Sequence, residues 1–256
     1  MAHWARYRHK GEVHFGQLEG DTIKEYAGDM FSSPKATGKS VALEDVELLT
    51  PVEPTKMVAL AHNLHALINK MGGSVPDEPM YLLKANSSFH PAGKPIRRPK
   101  AYQGKIIFEG ELGLVIGKTC RDVPVNKALD YLFGCTCIND VTSIELLNKS
   151  PIMQQWVRSK AADTFGVMGP VVATGLDPNA LTIRSVLDGQ ERQNYPVSDF
   201  VFTPAEIISH ISGDMTLLPG DVIACGTSVG AGSMKPGSVI EITIDGIGTL
   251  TNTFEG

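Results

Sequence analysis

Residues 108–118 read FEGELGLVIGK, with two carboxylates, Glu109 and Glu111, opening a run that otherwise has the composition of a buried strand. Residues alternate faces along a strand, so positions i and i+2 point the same way. Glu109 and Glu111 therefore share one face, while Phe108, Leu112, Leu114 and Ile116 cover the other. Like charges at that spacing repel, and charged side chains are seldom buried without a partner. The pattern predicts a cation in front of the pair.

Working outward, the chain is strand-rich and punctuated by Gly and Pro. MVALAHN, PMYLLKANS, FGCTCIND, GPVVAT, LTIRSVLDG, DVIACGT and SVIEITIDGIGTLTNTF all read as strands. Asp245-Gly246, set between alternating segments, marks a hairpin. Helices are few. One is expected after Asp140, where Thr142 and Glu145 have capping-box spacing. Another is expected at FTPAEIISHIS, with Thr203 as N-cap, Pro204 at N1 and Glu206 at N3. Residues 1–50 form short strands with a Gly-Asp turn, and the Pro-containing LLTPVEPTK closes them off. The expectation is a small N-terminal β module (1–50) and a catalytic domain (51–256). The class is mixed β-rich α+β without βαβ alternation.

The 256 residues carry a net charge of −5, which argues against nucleic acid or an anionic membrane as partner. The basic KPIRRPK (94–100) is short and Pro-bounded, a solvated loop. No apolar run reaches membrane-spanning length, and no apolar leader segment opens the chain, so a cytoplasmic protein is expected. Of four cysteines, Cys135 and Cys137 form a C-x-C within an apolar run. Without a second Cys or His pair this reads as buried free thiols rather than a zinc site.

Asp140 is the best third oxygen donor beside Glu109 and Glu111. It ends the apolar CTCIND run where a helix begins, free to reach into a cleft. Three carboxylates completed by water suit Mg²⁺ or Mn²⁺, with Ca²⁺ also admissible, better than zinc. An isolated E-x-E is ordinarily a surface pair or is paired with Lys or Arg; within an apolar strand, followed by an acid at a strand end, a metal site stands equally beside that reading.

These residues resemble a family. FEGELGLVIGK, FGCTCINDVTSIELL, RSKAADTFGVMGP, SDFVFTPAEII and LPGDVIACGTSVGAG are similar, in that order, to segments of the fumarylacetoacetate hydrolase family, whose members include acylpyruvate hydrolases and 2-hydroxyhepta-2,4-diene-1,7-dioate isomerases. The resemblance runs from about residue 55 to the C-terminus. It implies a β-roll-like main domain, a divalent metal and a homodimer. It places Glu109, Glu111 and Asp140 as metal ligands and Lys160 beside the metal, stabilising developing oxyanion charge. Gly226, Thr227 and Ser228 match a substrate-binding loop, and Lys84 matches a lysine on the substrate side.

The chain also departs from the family pattern. VALAHNLHALINKMG (58–72) is similar to G-x-N-Y-x-x-H-x-x-E-M-G, yet Leu67 stands at the His position and Lys70 at the Glu position. If a base has moved, His65 is the first candidate and His62 the second. Where relatives often carry Arg and Gln after the metal Asp, this chain has Ile144 and Leu147. The expected substrate is a small 1,3-diketo or 2-oxo/enol compound, less acidic or bulkier than a dicarboxylate. The reaction expected first is C–C hydrolysis with an enolate leaving, for which a metal would supply Lewis acidity. The alternatives are isomerase or tautomerase activity, decarboxylation, or a catalytically silent ligand-binding relative.

Overall fold

The structure, a computed structural model, describes residues 1–256. Its centre is a twelve-stranded sheet. In spatial order the main path runs through Lys35–Ala42, Thr22–Ala27, Glu12–Glu19, Ala2–His9, Gly166–Thr174, Leu132–Asp140, Gly110–Ile116, Val222–Ala224, Met57–Ala61 and Met80–Lys84. The N-terminal strands thus extend the central sheet, Ala2–His9 pairing antiparallel with Gly166–Thr174. A four-stranded antiparallel sheet, Gln190–Pro196, Thr182–Leu187, Val239–Ile244 and Gly248–Thr253, packs across one face. A three-stranded sheet of Thr142–Ser143, Ile106–Phe108 and Gly232–Ser233 closes one end. No helix is long and apolar enough to cross a membrane.

Both faces of the central strands are buried, so their sequences are nearly continuous Val, Ile, Leu and Cys. Leu112, Leu114, Ile116, Cys135 and Cys137 join Ile183, Ile242 and Ile244 of the second sheet in the larger core. The opposite side chains, Val115, Ile138, Met168 and Val222, pack with Trp4 in a smaller one. All four cysteines are free and buried, as the apolar runs imply.

The helix Pro204–Asp214 begins with the expected capping box, Thr203 with Glu206, and Asp245-Gly246 joins the expected hairpin. The box at Thr142 does not form. The helix there is one turn, Ile144–Leu147, with Ser143 at its N-cap and no side-chain cap. Thr142 instead donates to Glu109 (3.1 Å) and to the Asp140 carbonyl (3.0 Å), while Glu145 accepts from Tyr102. Buried acceptors nearby outcompete a local cap for the same hydroxyl.

Candidate active site

Two adjacent strands carry Glu111 and Asp140, and Glu109 joins them from the break between Ile106–Phe108 and Gly110–Ile116, where the expected single strand passes from one sheet to another. Gly110–Ile116 pairs with Leu132–Asp140 in the register Glu111↔Ile138, and the Asp140 N–H donates to the Glu109 carbonyl (2.9 Å). One oxygen from each of Glu109, Glu111 and Asp140 lies within 4.8 Å of the others, and all three residues are buried.

Two buried lysines face them. Lys160, ending the short helix Trp156–Lys160, donates to Glu109 Oε2 and Asp140 Oδ2, each at 2.5 Å. Lys84, ending its strand, donates to Asp140 Oδ1 and to the Lys160 carbonyl (2.5 Å). Burial alone would lower the Lys160 value, but Asp140, Glu109 and Glu111 together outweigh it and hold the ammonium protonated. Asp140 is likewise disfavoured as an anion by burial, and the two ammoniums overcome that to pull it below its usual range.

Burial raises the Glu109 carboxyl despite its contact with Lys160, and Glu111 is the one acid of the three that no lysine contacts. Its Oε2 accepts from the Gly226 N–H (2.8 Å), whereas its Oε1 is buried with no partner. Burial, then repulsion from Asp140, pushes its carboxyl well above the usual range. The two lysines engage Glu109 and Asp140, and Glu111 is left as the acid that only a further cation would favour as its anion. An all-oxygen donor set with an orphaned carboxylate oxygen fits a hard divalent cation.

A cleft of about 150 Å³ opens over Glu109 and Lys160. Leu67 and Met71 of helix His65–Met71, Ile144, Leu147 and Trp156 form its walls, with Thr227 and His62 at the edge. A larger hollow of about 660 Å³, beside Tyr102 and Arg158, includes none of the three carboxylates in its lining. His62 reaches the cleft from a left-handed backbone, φ 55°, a conformation uncommon for a non-glycine residue and often associated with function. His65 begins the following helix, exposed, and is not part of the cleft lining. Leu67 occupies the cleft wall, and Lys70 is exposed.

The loop 226–228 is braced from the second sheet. Gln193 donates to Thr227 Oγ1 (2.8 Å) and the Ser228 carbonyl (2.9 Å), and Tyr195 donates to the Gly110 carbonyl (2.6 Å). Of the three loop residues, Thr227 faces the cleft, Gly226 spends its N–H on Glu111, and Ser228 is buried. Gly226 has φ 92°, and a Cβ there would come within 3.3 Å of Asn63 Cβ. Asn63 in turn donates to the Cys225 carbonyl (2.8 Å) and accepts from the Phe202 N–H (3.0 Å), locking the turn before the helix to this loop.

Trp156 went unnoticed in the sequence, although it lies four residues before Lys160, the spacing that places two side chains on one helical face.

The sequence matches the fumarylacetoacetate (FAA) hydrolase C-terminal family over residues 56–255. The chain belongs to the fumarylacetoacetate hydrolase family. Residues 2–51 match the Rv2993c-like N-terminal family. The chain is 39% identical to protein Rv2993c of Mycobacterium tuberculosis (strain ATCC 25618 / H37Rv), covering 94% of this chain and 93% of that one. It is 32% identical to the oxaloacetate tautomerase YisK of Bacillus subtilis (strain 168), over 91% of this chain and 83% of YisK. The crystal structure of 2-hydroxyhepta-2,4-diene-1,7-dioate isomerase from Mycobacterium marinum superposes with a TM-score of 0.91 at 36% identity, covering 99% and 98% of the two chains.

Proposed function

We propose that this protein is a divalent-metal-dependent enzyme, with Mg²⁺ or Mn²⁺ held by Glu109, Glu111 and Asp140, that interconverts keto and enol forms of a small 2-oxo acid. The observation that carries this reading is the unpartnered oxygen of Glu111, buried beside Asp140 and beside Glu109, which lines the cleft with Lys160. Such an ion supplies Lewis acidity toward substrate oxygens and favours an enolate.

The protein's own groups account for the proton transfers. Lys160 has three N–H donors and spends two on Glu109 and Asp140, leaving one for a substrate oxygen that gains charge. His62, on the cleft edge, is the group placed to take a proton from carbon and return it. Lys84 positions both Asp140 and the Lys160 backbone. Leu67, Ile144 and Leu147 make the cleft wall apolar, which favours proton shuttling over attack by water. A tautomerase and an isomerase stand among the relatives, as hydrolases do, so the preference rests on the apolar wall of the cleft.

C–C hydrolysis of an acylpyruvate is the second reading, favoured by His62, which could activate a water as well as move a proton. On either reading the protein works as a homodimer, which sedimentation at a mass above the 27.5 kDa of one chain would check. The deciding experiment follows enol absorbance of oxo-acid substrates with Mg²⁺ or Mn²⁺, alongside acid release from acylpyruvates. Metal-saturable enol loss without cleavage supports the first reading, and stoichiometric cleavage supports the second. No acceleration of either process, with metal bound, rejects both.

A further inference from the structure

The cleft wall differs in chemistry from its floor. Leu67, Met71, Ile144, Leu147 and Trp156 present hydrocarbon from three separate segments, and the Trp156 indole N–H is already satisfied by Gln154 (3.0 Å). Lys160 is the one lysine or arginine in the lining, and two carboxylates already engage it. His62 is the only other lining group that can carry positive charge. A second carboxylate on a substrate tail would thus lose its hydration against alkyl and indole surface without a dedicated partner, a heavy cost. The whole cleft, polar floor and apolar wall together, encloses about 150 Å³, so the tail seated along its wall must be compact.

We infer that the substrate is a 2-oxo acid with a single carboxylate and a compact apolar tail of phenyl or branched-alkyl size, the tail seated against Trp156, Leu147 and Ile144. This rests on the enol-acid reading of the site and adds its specificity. The carboxylate and keto oxygens face Lys160 and the acidic floor, while the tail replaces water along the wall. Burial of such a tail contributes in proportion to its area, whereas a tail carboxylate gains nothing there.

Phenylpyruvate and oxaloacetate make a matched pair, because both are pyruvate with one substituent on C3, a phenyl ring in one and a carboxylate in the other. Calorimetric titration of the Mg²⁺- or Mn²⁺-loaded protein should show phenylpyruvate binding at least tenfold tighter. Of the two tryptophans, Trp4 lies in the smaller core, so ligand-induced quenching should vanish in Trp156→Phe. Ile144→Arg should reverse the order, with oxaloacetate gaining at least tenfold and phenylpyruvate losing as much. Leu147→Arg provides the same test at a second position should the first variant fold poorly. Both residues are only half-buried, so an arginine there can reach solvent. Equal or tighter binding of oxaloacetate by the unaltered protein would overturn the apolar-tail assignment and leave the enol-acid reading standing. Binding of neither acid with metal present would overturn both.

Discussion

Lys160 and Asp140, twenty residues apart in the chain, meet through a 2.5 Å ion pair in which both side chains are almost wholly buried. The same ammonium holds Glu109, and Lys84 holds the other Asp140 oxygen. The cation expected in front of the E-x-E pair is, in the chain itself, a lysine. These lysines engage Glu109 and Asp140 and leave one Glu111 oxygen without a partner, the place a divalent ion would fill.

Lys160→Met tests that arrangement. Removing one partner of a buried ion pair strands the other, at a cost of about 3–5 kcal/mol. Urea unfolding of the metal-free variant should show a loss of that order, together with lost turnover. Stability within about 1 kcal/mol of the unaltered protein would mean the pair is not formed.

Glu111→Gln should behave in the opposite sense. The unpartnered Oε1 carries a desolvation penalty of roughly 1–3 kcal/mol. The uncharged variant should therefore match or exceed the metal-free parent in stability. It should also lose the stabilisation by Mn²⁺, which for a ligand at a hundred times its Kd is about 2.7 kcal/mol. Thermal unfolding with and without Mn²⁺ reads both effects; a variant that still gains from the ion would remove Glu111 from the ligand set.

The two histidines separate by position. His62→Asn should lower kcat/KM by roughly 10², whereas His65→Asn should leave it near its starting value. The reverse ranking would return the base to the helix and require the segment 62–71 to move during turnover.

Cys135 and Cys137 give a pH test that does not rest on the carboxylates. Burial pushes both thiols up from 9.0 to about 12. A group that holds its proton more tightly when folded contributes stability fully present below its unfolded value and lost as pH rises through the folded one. Stability should thus decline between about pH 9 and pH 12, partly through these two residues, and Cys135→Ala with Cys137→Ala should flatten that decline. At pH 8 none of the four thiols should react with a disulfide reagent until the protein unfolds.

Much of this was legible in the chain. The E-x-E spacing implied a shared face because strand geometry repeats every two residues. The Thr203 box and the Asp245-Gly246 turn formed as written, because their partners lie within a few residues. The Thr142 box had the same local signal and failed, since Glu109 and Tyr102, more than thirty residues away, claimed its two side chains.

The residues by themselves determined the strands, the hairpin, the paired carboxylates and the need for a counter-charge, all consequences of local periodicity and of the cost of burying charge. Tertiary structure alone decided which cations answer that need, with Lys84 and Lys160 arriving from separate segments. It also decided that His62 rather than His65 faces the cleft, and that Trp156 joins Ile144 and Leu147 in one wall. Those outcomes depend on sheet register, on a single left-handed residue and on the packing of short helices, and none of these is set by a side chain's neighbours in sequence.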